Sequence, residues 1–255
     1  MIYTVFGKED EISLVSKKLE DLGHIRDDLN PEYIFSIGGD GTILQTVHKY
    51  IDMIDHVKII GINYGKLGFY TDFSKDEGLE ILDILDENSN NVAEYSLLEY
   101  KLISDNEEKV YYALNELAII NPIHTQIIDV YINDIHFETF RGSGLIVSTP
   151  TGSTAFNKSV GGSIIDPSIK AIQLAELAPI NNRVFSTISS PIVLSSNTKV
   201  ILKSNFEKTT VSFDGIIDDF KQANTIEIKL SKKTVKFISK NDSCFWDRVR
   251  KSFLV

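Results

Sequence analysis

The sequence Tyr33-Ile34-Phe35-Ser36-Ile37-Gly38-Gly39-Asp40-Gly41-Thr42 joins an apolar run to the start of a helical pattern. Its first five residues are typical of a short buried strand, and four apolar residues follow at the spacing of one helix face: Ile43, Leu44, Val47 and Ile51. The glycines therefore lie at a strand-to-helix turn. Because glycine has no Cβ and the first N–H groups of a helix have no partner within it, such a turn can bind phosphate oxygens.

Asp40 is the unusual residue of this turn. A carboxylate among phosphate-binding amides repels an anionic ligand unless it accepts a proton, binds a metal or hydrogen-bonds a substrate hydroxyl. The alternative is that Asp40 caps the helix in an ordinary turn, a role that Thr42 can share. Short motifs are weakly specific, so residues 38–42 alone leave both interpretations open.

A second glycine-containing segment, residues 142–155, reads Gly-Ser-Gly-Leu-Ile-Val-Ser-Thr-Pro-Thr-Gly-Ser-Thr-Ala. Positions 148–154 hold five hydroxyl residues together with Pro150 and Gly152. A solvated linker does not need the apolar run Leu145-Ile146-Val147 that leads into it. We therefore predict a strand that delivers a polar loop to a binding site.

The period of the apolar pattern changes near residue 95. Before it, strands are predicted at 2–6, 33–37 and 57–62, and helices at 12–22, after Thr42 and at 76–85. This order predicts an α/β domain with a mostly parallel sheet. Beyond it, short period-2 runs are predicted as strands, at 95–104, 110–115, 129–132, 135–138, 199–202, 210–213, 225–230 and 234–238. Helices are predicted at 169–177 and 242–253.

We therefore expect two domains. Residues 1–93 form the α/β domain with the Gly38–Gly41 loop, residues 94–241 form a β-rich, β-sandwich-like domain, and residues 242–255 pack back on the first. The turn-forming residues 88–91 mark the boundary. Clefts between domains are common ligand sites, so we expect the ligand there.

Composition excludes several classes of function. The chain has 255 residues, with 26 Lys and Arg against 36 Asp and Glu, and this net charge of −10 disfavours nucleic acid or an anionic membrane as a partner. No apolar stretch approaches the roughly 18 residues of a membrane span, and the start lacks a basic signal region, so we expect a cytoplasmic protein. The five histidines and the single Cys244 lack zinc-ligand spacing, and we expect no metal site built from protein ligands alone.

Three elements together resemble the NAD kinase family: GGDGT at 38–42, the pair Asn115-Glu116, and GSGLIVSTPTGSTAFNKSVGG at 142–162. GGDGT alone is shared with diacylglycerol and sphingosine kinases, and a near variant occurs in phosphofructokinases. The STPTGSTA segment narrows the resemblance to NAD kinases. No GxxxxGK[ST] sequence is present, so a P-loop NTPase is excluded as far as motifs can exclude it.

The resemblance implies transfer of the γ-phosphoryl group of ATP, or of inorganic polyphosphate, to the 2′-hydroxyl of the adenosine ribose of NAD. It implies that Asp40 is the base that accepts the hydroxyl proton. Four residues of the same loop would hold the phosphates: Gly38, Gly39, Gly41 and Thr42. Mg²⁺ or another divalent cation would be coordinated mostly by the nucleotide.

The resemblance also assigns residues to the dinucleotide. Asn115 and Glu116 would contact its ribose and adenine parts. The residues matching the family's dinucleotide loop are Thr151, Thr154, Ala155, Phe156, Asn157 and Ser159, with Lys158 and Arg141 as nearby cations. Ala178 matches a part of the family near the nicotinamide end and the subunit interface. Family members are commonly homodimers or homotetramers, so the resemblance implies one of these assemblies.

Two positions depart from the commoner family pattern. Ser143 stands where many members have Asp, and Phe156 where many have Tyr. Phe156 can stack on a base but cannot donate a hydroxyl hydrogen bond, and Ser143 removes a carboxylate. Arg141 either binds substrate or forms a structural ion pair.

Two other functions remain open: a lipid or sugar kinase that shares GGDGT, and a dinucleotide-binding regulator that has lost catalysis.

Overall fold

The computed structural model describes residues 1–65, 68–74, 91–218, 223–240 and 244–254. Within them the chain forms seventeen strands, a 3₁₀ turn and four helices. In chain order the first elements are β1 (Ile2–Gly7), α1 (Glu9–Asp21), β2 (Ile25–Arg26), β3 (Tyr33–Ile37), α2 (Asp40–Lys49), β4 (Lys58–Asn63), β5 (Phe73–Ser74), β6 (Asn91–Ile103), β7 (Glu108–Ala113), β8 (Glu116–Ile120), β9 (Gln126–Ile132), β10 (Ile135–Gly142) and β11 (Gly144–Ser148). The rest are the 3₁₀ turn (Thr151–Thr154), α3 (Phe156–Ser159), β12 (Ala171–Leu177), β13 (Ile192–Ser195), β14 (Lys199–Lys203), β15 (Thr210–Phe213), β16 (Ile216–Asp218), β17 (Thr225–Ser239) and α4 (Phe245–Phe253).

The chain divides into two compact units. The first comprises Met1–Tyr95 and Lys233–Val255, and the second comprises Ser96–Lys232. Strands β6 and β17 each contribute residues to both units.

The first unit is an α/β unit with a parallel sheet. Its strands run β2-β1-β3-β4, and the end of β17 pairs in parallel with β4 through Lys236 and Lys58. Helix α1 buries Val15 and Leu19 against strand residues such as Phe35 and Ile60. The predicted α/β architecture is confirmed, and the carboxyl end of β3 opens into the loop that begins α2.

The second unit is a β-sandwich. One sheet is antiparallel, in the order β13-β12-β11-β8-β15-β16. The other contains β10-β9-β14-β17, with β6 beside β17 and β7 beside β6. Side chains from both sheets form one core, including Leu117, Val147 and Leu174 from the first and Val130 and Ile226 from the second. The predicted β-sandwich-like character is confirmed.

Two predictions of secondary structure are wrong. Residues 169–177 are not helical: residues 171–177 form β12, which lies between β11 and β13 and buries its first five residues. A strand buried on both faces has a continuous apolar run, which periodicity cannot distinguish from a short buried helix. The runs predicted as separate strands at 225–230 and 234–238 form the single strand β17.

Some predictions fall outside the described residues. The helix predicted at 76–85 lies there entirely, as do residues 88–90 of the expected boundary, whereas Asn91 begins β6. The terminal helix, predicted from 242, begins at Phe245. None of the helices in the described ranges is long and apolar enough to cross a bilayer.

Candidate active site

The turn between β3 and α2 requires glycine at position 38. Gly38 has φ +153°, and a Cβ there would come within 2.2 Å of Oγ1 of Thr42. Its N–H donates to the carbonyl of Ile62 at 2.9 Å, so the turn is tied to the neighbouring strand β4. Gly38 is therefore fixed by backbone conformation and by close packing against Thr42.

The other glycines of the turn leave open space. A Cβ on Gly39 or on Gly41 would meet no atom within 4 Å, and both residues are exposed. Gly39 is the N-cap residue of α2, and its carbonyl accepts the N–H of Thr42 at 2.9 Å. Solvent therefore reaches the backbone at the start of α2, where the dipole and N–H groups favour an anion.

Asp40, the first residue of α2, holds a loop that lies far along the chain. Its Oδ2 accepts the N–H of Phe69 at 2.9 Å, and its Oδ1 accepts the N–H of Tyr70 at 3.1 Å. The helix-cap interpretation accounts for neither bond. Each carboxylate oxygen has two lone pairs, so these bonds orient the group and leave acceptor capacity on both oxygens.

In the second unit, Asp214 organises the start of β8. This residue has φ +48°, and its carboxylate accepts backbone N–H groups at 2.7 Å from Leu114, 2.7 Å from Asn115 and 3.3 Å from Glu116. The Asp214 carboxylate therefore holds the predicted pair Asn115-Glu116 through the backbone N–H groups of both residues. The sequence analysis missed Asp214, although the Asp214-Gly215 dipeptide is a turn signal.

Glu116 has a carboxyl group in an unusual state. The residue is 7% exposed, and among the described residues its Oε2 has no hydrogen-bond partner. Burial and the neighbouring Asp214 carboxylate raise the pKa of Glu116 to about 8, against the opposing effect of the Phe156 backbone N–H. At pH 7 the group is therefore mostly protonated, and it can donate as well as accept a hydrogen bond.

The loop after β11 is bonded to the residues that precede Glu116. Oγ1 of Thr149 donates to the carbonyl of Leu114 at 2.6 Å and accepts the N–H of Gly152 at 3.1 Å. Thr151 is buried, and its Oγ1 lies 2.9 Å from that of Thr149. A Cβ on Gly152 would come within 2.1 Å of the Asn115 carbonyl oxygen. These bonds bring the STPTGSTA loop against the Asn115-Glu116 pair.

The residues that follow differ in exposure. Thr154, Ala155 and Lys158 are half-buried, whereas Phe156 is 37% exposed and Ser159 is exposed. Asn157 is fully buried, and neither Oδ1 nor Nδ2 has a hydrogen-bond partner among the described residues. Its side chain packs against Gly162, where a Cβ would come within 2.2 Å of Nδ2.

Three predicted residues form a separate group. The guanidinium of Arg141 lies 4.2 Å from the centroid of the Phe185 ring, and the carbonyl of Arg141 accepts the N–H of Ile180 at 2.7 Å. Ala178 has φ +48°, and Ser143 donates its N–H to the carbonyl of Leu177 at 2.9 Å. Arg141 thus stacks on an aromatic ring.

The two groups of the second unit lie at opposite ends of β11. Ser143 precedes this strand, whereas Ser148 ends it and pairs with Glu116. Five residues of extended chain span about 16 Å. The structure therefore brings Asn115, Glu116 and residues 149–156 together and places Arg141, Ser143 and Ala178 elsewhere in the same unit.

Family models match both halves of the chain. The ATP-NAD kinase N-terminal domain matches residues 18–89, and the ATP-NAD kinase C-terminal domain matches residues 108–240. The chain belongs to the ATP-NAD kinase family. Its activity is that of the family, a phosphotransferase reaction on NAD.

Curated NAD kinases are similar over most of this chain. The NAD kinase of Lactobacillus acidophilus is 43% identical over 225 residues, covering 88% of this chain and 84% of that protein. The NAD kinase of Lactococcus lactis subsp. cremoris is 39% identical over 246 residues, covering 95% of this chain and 91% of that protein.

Solved structures of NAD and NADH kinases share the fold. The crystal structure of yeast NADH kinase complexed with NADH has a TM-score of 0.83 at 20% identity, covering 99% of this chain and 86% of that one. The crystal structure of an NAD kinase from Archaeoglobus fulgidus in complex with ATP has a TM-score of 0.79 at 25% identity, covering 98% of this chain and 97% of that one.

Two further features of this NAD kinase concern ligands. In the part of the chain that the structure describes, no group of three or more His, Cys, Asp or Glu side chains is arranged to hold a metal ion. A groove of about 770 Å³ in the second unit is lined by residues that include Asp105, Asp129, Lys203 and Asn224, and none of its lining residues is a predicted site residue.

Proposed function

We propose that Asp40 is the general base when this chain phosphorylates the 2′-hydroxyl of the adenosine ribose of NAD. The observation that carries this proposal is the setting of the Asp40 carboxylate. It lies at the start of α2 beside two exposed glycines, and the N–H groups of Phe69 and Tyr70 fix its orientation. An oriented carboxylate whose oxygens each accept one N–H bond from the described residues suits proton acceptance from a bound hydroxyl.

In the proposed step the ribose 2′-oxygen forms a bond to the γ-phosphorus of ATP while the bond from that phosphorus to the bridging oxygen of ADP breaks. The hydroxyl proton passes to a carboxylate oxygen of Asp40 and then to solvent. The products are NADP and ADP. A base of this kind contributes about 10²- to 10⁴-fold to the rate, and positioning and charge neutralisation supply the rest.

The phosphate part of the proposal rests on the turn that begins α2. The backbone at Gly39 and Gly41 is exposed, and Gly38 and Thr42 hold the turn in shape. Backbone N–H groups can bind phosphate oxygens without a cationic side chain. This suits a protein with a net charge of −10. A bound Mg²⁺ or other divalent cation would neutralise phosphate charge, and the nucleotide would supply most of its ligands.

The dinucleotide part rests on the group around Glu116. A protonated Glu116 can donate to an adenine or ribose acceptor, Asn115 offers an amide, and the exposed ring of Phe156 can stack on a base. We assign the half-buried or exposed residues Thr154, Ala155, Lys158 and Ser159 to the same ligand. We keep Thr151, which is as buried as Asn115 and Glu116, and the fully buried Asn157 among the residues of the dinucleotide-binding loop.

The separate group of Arg141, Ser143 and Ala178 is proposed to contact the nicotinamide end of a dinucleotide, bound either by the same chain or by a neighbouring copy. The second case requires a homodimer or homotetramer, which we include in the proposal. We also retain a cytoplasmic location. We keep the predicted domain limits, 1–93 with 242–255 and 94–241, as a proposal, although the two compact units change at 95/96 and at 232/233.

ATP is the proposed phosphoryl donor. The Archaeoglobus fulgidus NAD kinase, which has the same fold, was crystallised in complex with ATP, and this supports ATP over polyphosphate.

The test is NADP formation by the purified protein with NAD, Mg²⁺ and either ATP or polyphosphate, detected with an NADP-specific dehydrogenase. We expect NADP with ATP, and loss of nearly all turnover in Asp40→Asn with NAD binding retained. Near-normal turnover by Asp40→Asn would contradict the assignment of the base. NAD binding without NADP formation from either donor would favour a regulator.

A further inference from the structure

The peptide group between Phe69 and Tyr70 is bonded on both sides. Its N–H, which belongs to Tyr70, donates to Oδ1 of Asp40 at 3.1 Å. Its carbonyl, which belongs to Phe69, accepts a hydrogen bond from the guanidinium of Arg248 on α4. The charge of Arg248 and the carboxylate of Asp40 are therefore connected in series through one peptide group of the first unit.

Arg248 is held firmly in this position. Its side chain is 13% exposed, and a second nitrogen of the guanidinium donates to Asp72, whose side chain is 8% exposed. The planar fork of arginine can bond the Phe69 carbonyl and the Asp72 carboxylate together, whereas a lysine ammonium is a single point charge. Arg248 therefore fixes two points of the loop that contacts Asp40.

Aromatic packing supports the same contact. The ring of Phe69 lies 6.2 Å from that of Phe245 and 5.9 Å from that of Phe253, measured between centroids. These two residues are the first and last of α4. The helix therefore packs along the loop residue whose N–H donates to Oδ2 of Asp40.

We propose that Arg248 is a positioning residue for Asp40, acting through the peptide group between Phe69 and Tyr70. A cation on a peptide carbonyl polarises the N–H of the same group, and hydrogen bonds in a chain strengthen one another. Arg248 thereby strengthens the bond that orients the carboxylate and holds the donor in place. This inference rests on the proposed function of Asp40 as the base.

The same helix offers a matched control. Arg250 also carries a guanidinium, but it is 60% exposed and bonds to Asp247 on the surface of α4 at 2.9 Å. Arg250→Gln removes the same charge from the same helix. Surface pairs of this kind contribute little to stability, so we expect this variant to fold.

The experiment is a double-mutant cycle with steady-state kinetics of NADP formation. Arg248→Gln in the presence of Asp40 is expected to lower kcat about tenfold, the size typical of a weakened charge-assisted hydrogen bond, with the KM for NAD within about twofold. In the Asp40→Asn background the same change is expected to cost less than about twofold, because the group that Arg248 positions has lost its role. Arg250→Gln is expected to keep kcat within about twofold in both backgrounds.

The outcomes separate this inference from the proposed function. If Arg248→Gln lowers the residual kcat of Asp40→Asn by the same factor as it lowers that of the wild type, the role of Arg248 is structural and the inference is wrong. A rise in the KM for NAD with unchanged kcat also overturns it. If Asp40→Asn alone keeps near-normal kcat, the proposed base is wrong.

A second variant covers a failure of Arg248→Gln to fold, since this change removes the guanidinium that bonds the buried Asp72. Arg248→Lys keeps a positive charge near Asp72 but cannot form the fork. With its thermal midpoint verified above the assay temperature, we expect a threefold to tenfold loss of kcat, of the order of one weakened hydrogen bond. Full kcat in a folded Arg248→Lys protein, together with full kcat in Arg248→Gln where that variant folds, overturns the inference.

Discussion

Gly68 lies directly against the carboxylate of Asp40. A Cβ on residue 68 would come within 2.2 Å of Oδ1 and 2.8 Å of Oδ2. The N–H groups of Phe69 and Tyr70 reach these oxygens because residue 68 has no side chain in the way. Residue 68 is therefore glycine because a side chain would not fit beside the carboxylate. The conformational freedom of glycine is not the reason.

Gly68→Ala is expected to displace the Asp40 carboxylate and to lower kcat by up to about 100-fold, since small misplacements of a catalytic group have effects of this size. Steady-state kinetics of NADP formation measure the change. Gly65→Ala in the same loop is the comparison, because a Cβ there would lie at an ordinary 3.7 Å from Oδ1 of Asn63. Equal effects of the two substitutions would show that the close approach to Asp40 does not limit turnover.

The raised pKa of Glu116 predicts a dependence of stability on pH. The pKa is about 8 in the folded chain against an ordinary value of 4.5, so the folded state binds the proton more tightly. The resulting stabilisation is present in full below pH 4.5 and is lost as the pH rises through 8. As the pH rises between these values, the titration of Glu116 lowers the free energy of unfolding by up to about 1.4 kcal/mol per pH unit.

Glu116→Gln removes this titration, so its free energy of unfolding should fall less steeply with pH than that of the wild type. Urea denaturation at pH 5.5, 6.5 and 7.5 measures both slopes, and other titrating groups affect the two proteins alike. Glu207→Gln, at an exposed glutamate, is the control for the substitution itself. Identical slopes for Glu116→Gln and the wild type would mean that Glu116 titrates near its ordinary value.

Local patterns in the sequence predicted the strand–turn–helix unit around Asp40 well. The apolar run of β3 and the helical spacing after Thr42 are local features, and the structure begins α2 at Asp40. The partners of Asp40 were not predictable in this way. Phe69 and Tyr70 lie 29 and 30 positions further along the chain, and no spacing rule connects them to a carboxylate.

The same limit applies to the second unit. Asp214 is separated from Leu114 by 100 positions, so its role follows only from the pairing of β15 with β8. The failure at β12 has another cause. A strand with neighbours on both sides and a buried face towards the core has no alternating polar residues, so its apolar run reads equally well as a helix.

Removing the Asp214 carboxylate should destabilise the second unit. Asp214→Ala leaves buried N–H groups at residues 114–116 without this acceptor and places alanine at φ +48°, so we expect a loss of about 2–4 kcal/mol. Asp214→Asn keeps one oxygen acceptor and tolerates positive φ, but its Nδ2 faces a backbone N–H in place of the second oxygen, so we expect a smaller loss of about 1–3 kcal/mol. Urea denaturation measures both values. A loss for Asp214→Asn as large as that for Asp214→Ala would show that one remaining oxygen acceptor does not stabilise the backbone of residues 114–116.

Gly152 packs against the backbone of the Asn115-Glu116 pair. A Cβ there would come within 2.1 Å of the carbonyl oxygen of Asn115 and 2.6 Å of its Cα, and backbone atoms cannot rotate away as a side chain can. Gly152→Ala should therefore move Asn115 relative to the loop. Because Asn115 and Glu116 are the proposed dinucleotide contacts, we expect the KM for NAD to rise about tenfold or more.

Gly144→Ala is the matched control for Gly152→Ala. A Cβ on Gly144 would come within 2.2 Å of the carbonyl oxygen of Ile119, which is an equally close approach to backbone at the other end of β11. Both substitutions should lower the free energy of unfolding by about 1–3 kcal/mol through overpacking. Gly152→Ala should raise the KM for NAD by an order of magnitude and by more than Gly144→Ala, which lies next to Ser143 of the group proposed for the nicotinamide end, measured well below the thermal midpoint of each variant. Equal increases in the KM for NAD would show that general loosening of the sheet causes the effect, and that a specific displacement of Asn115 does not.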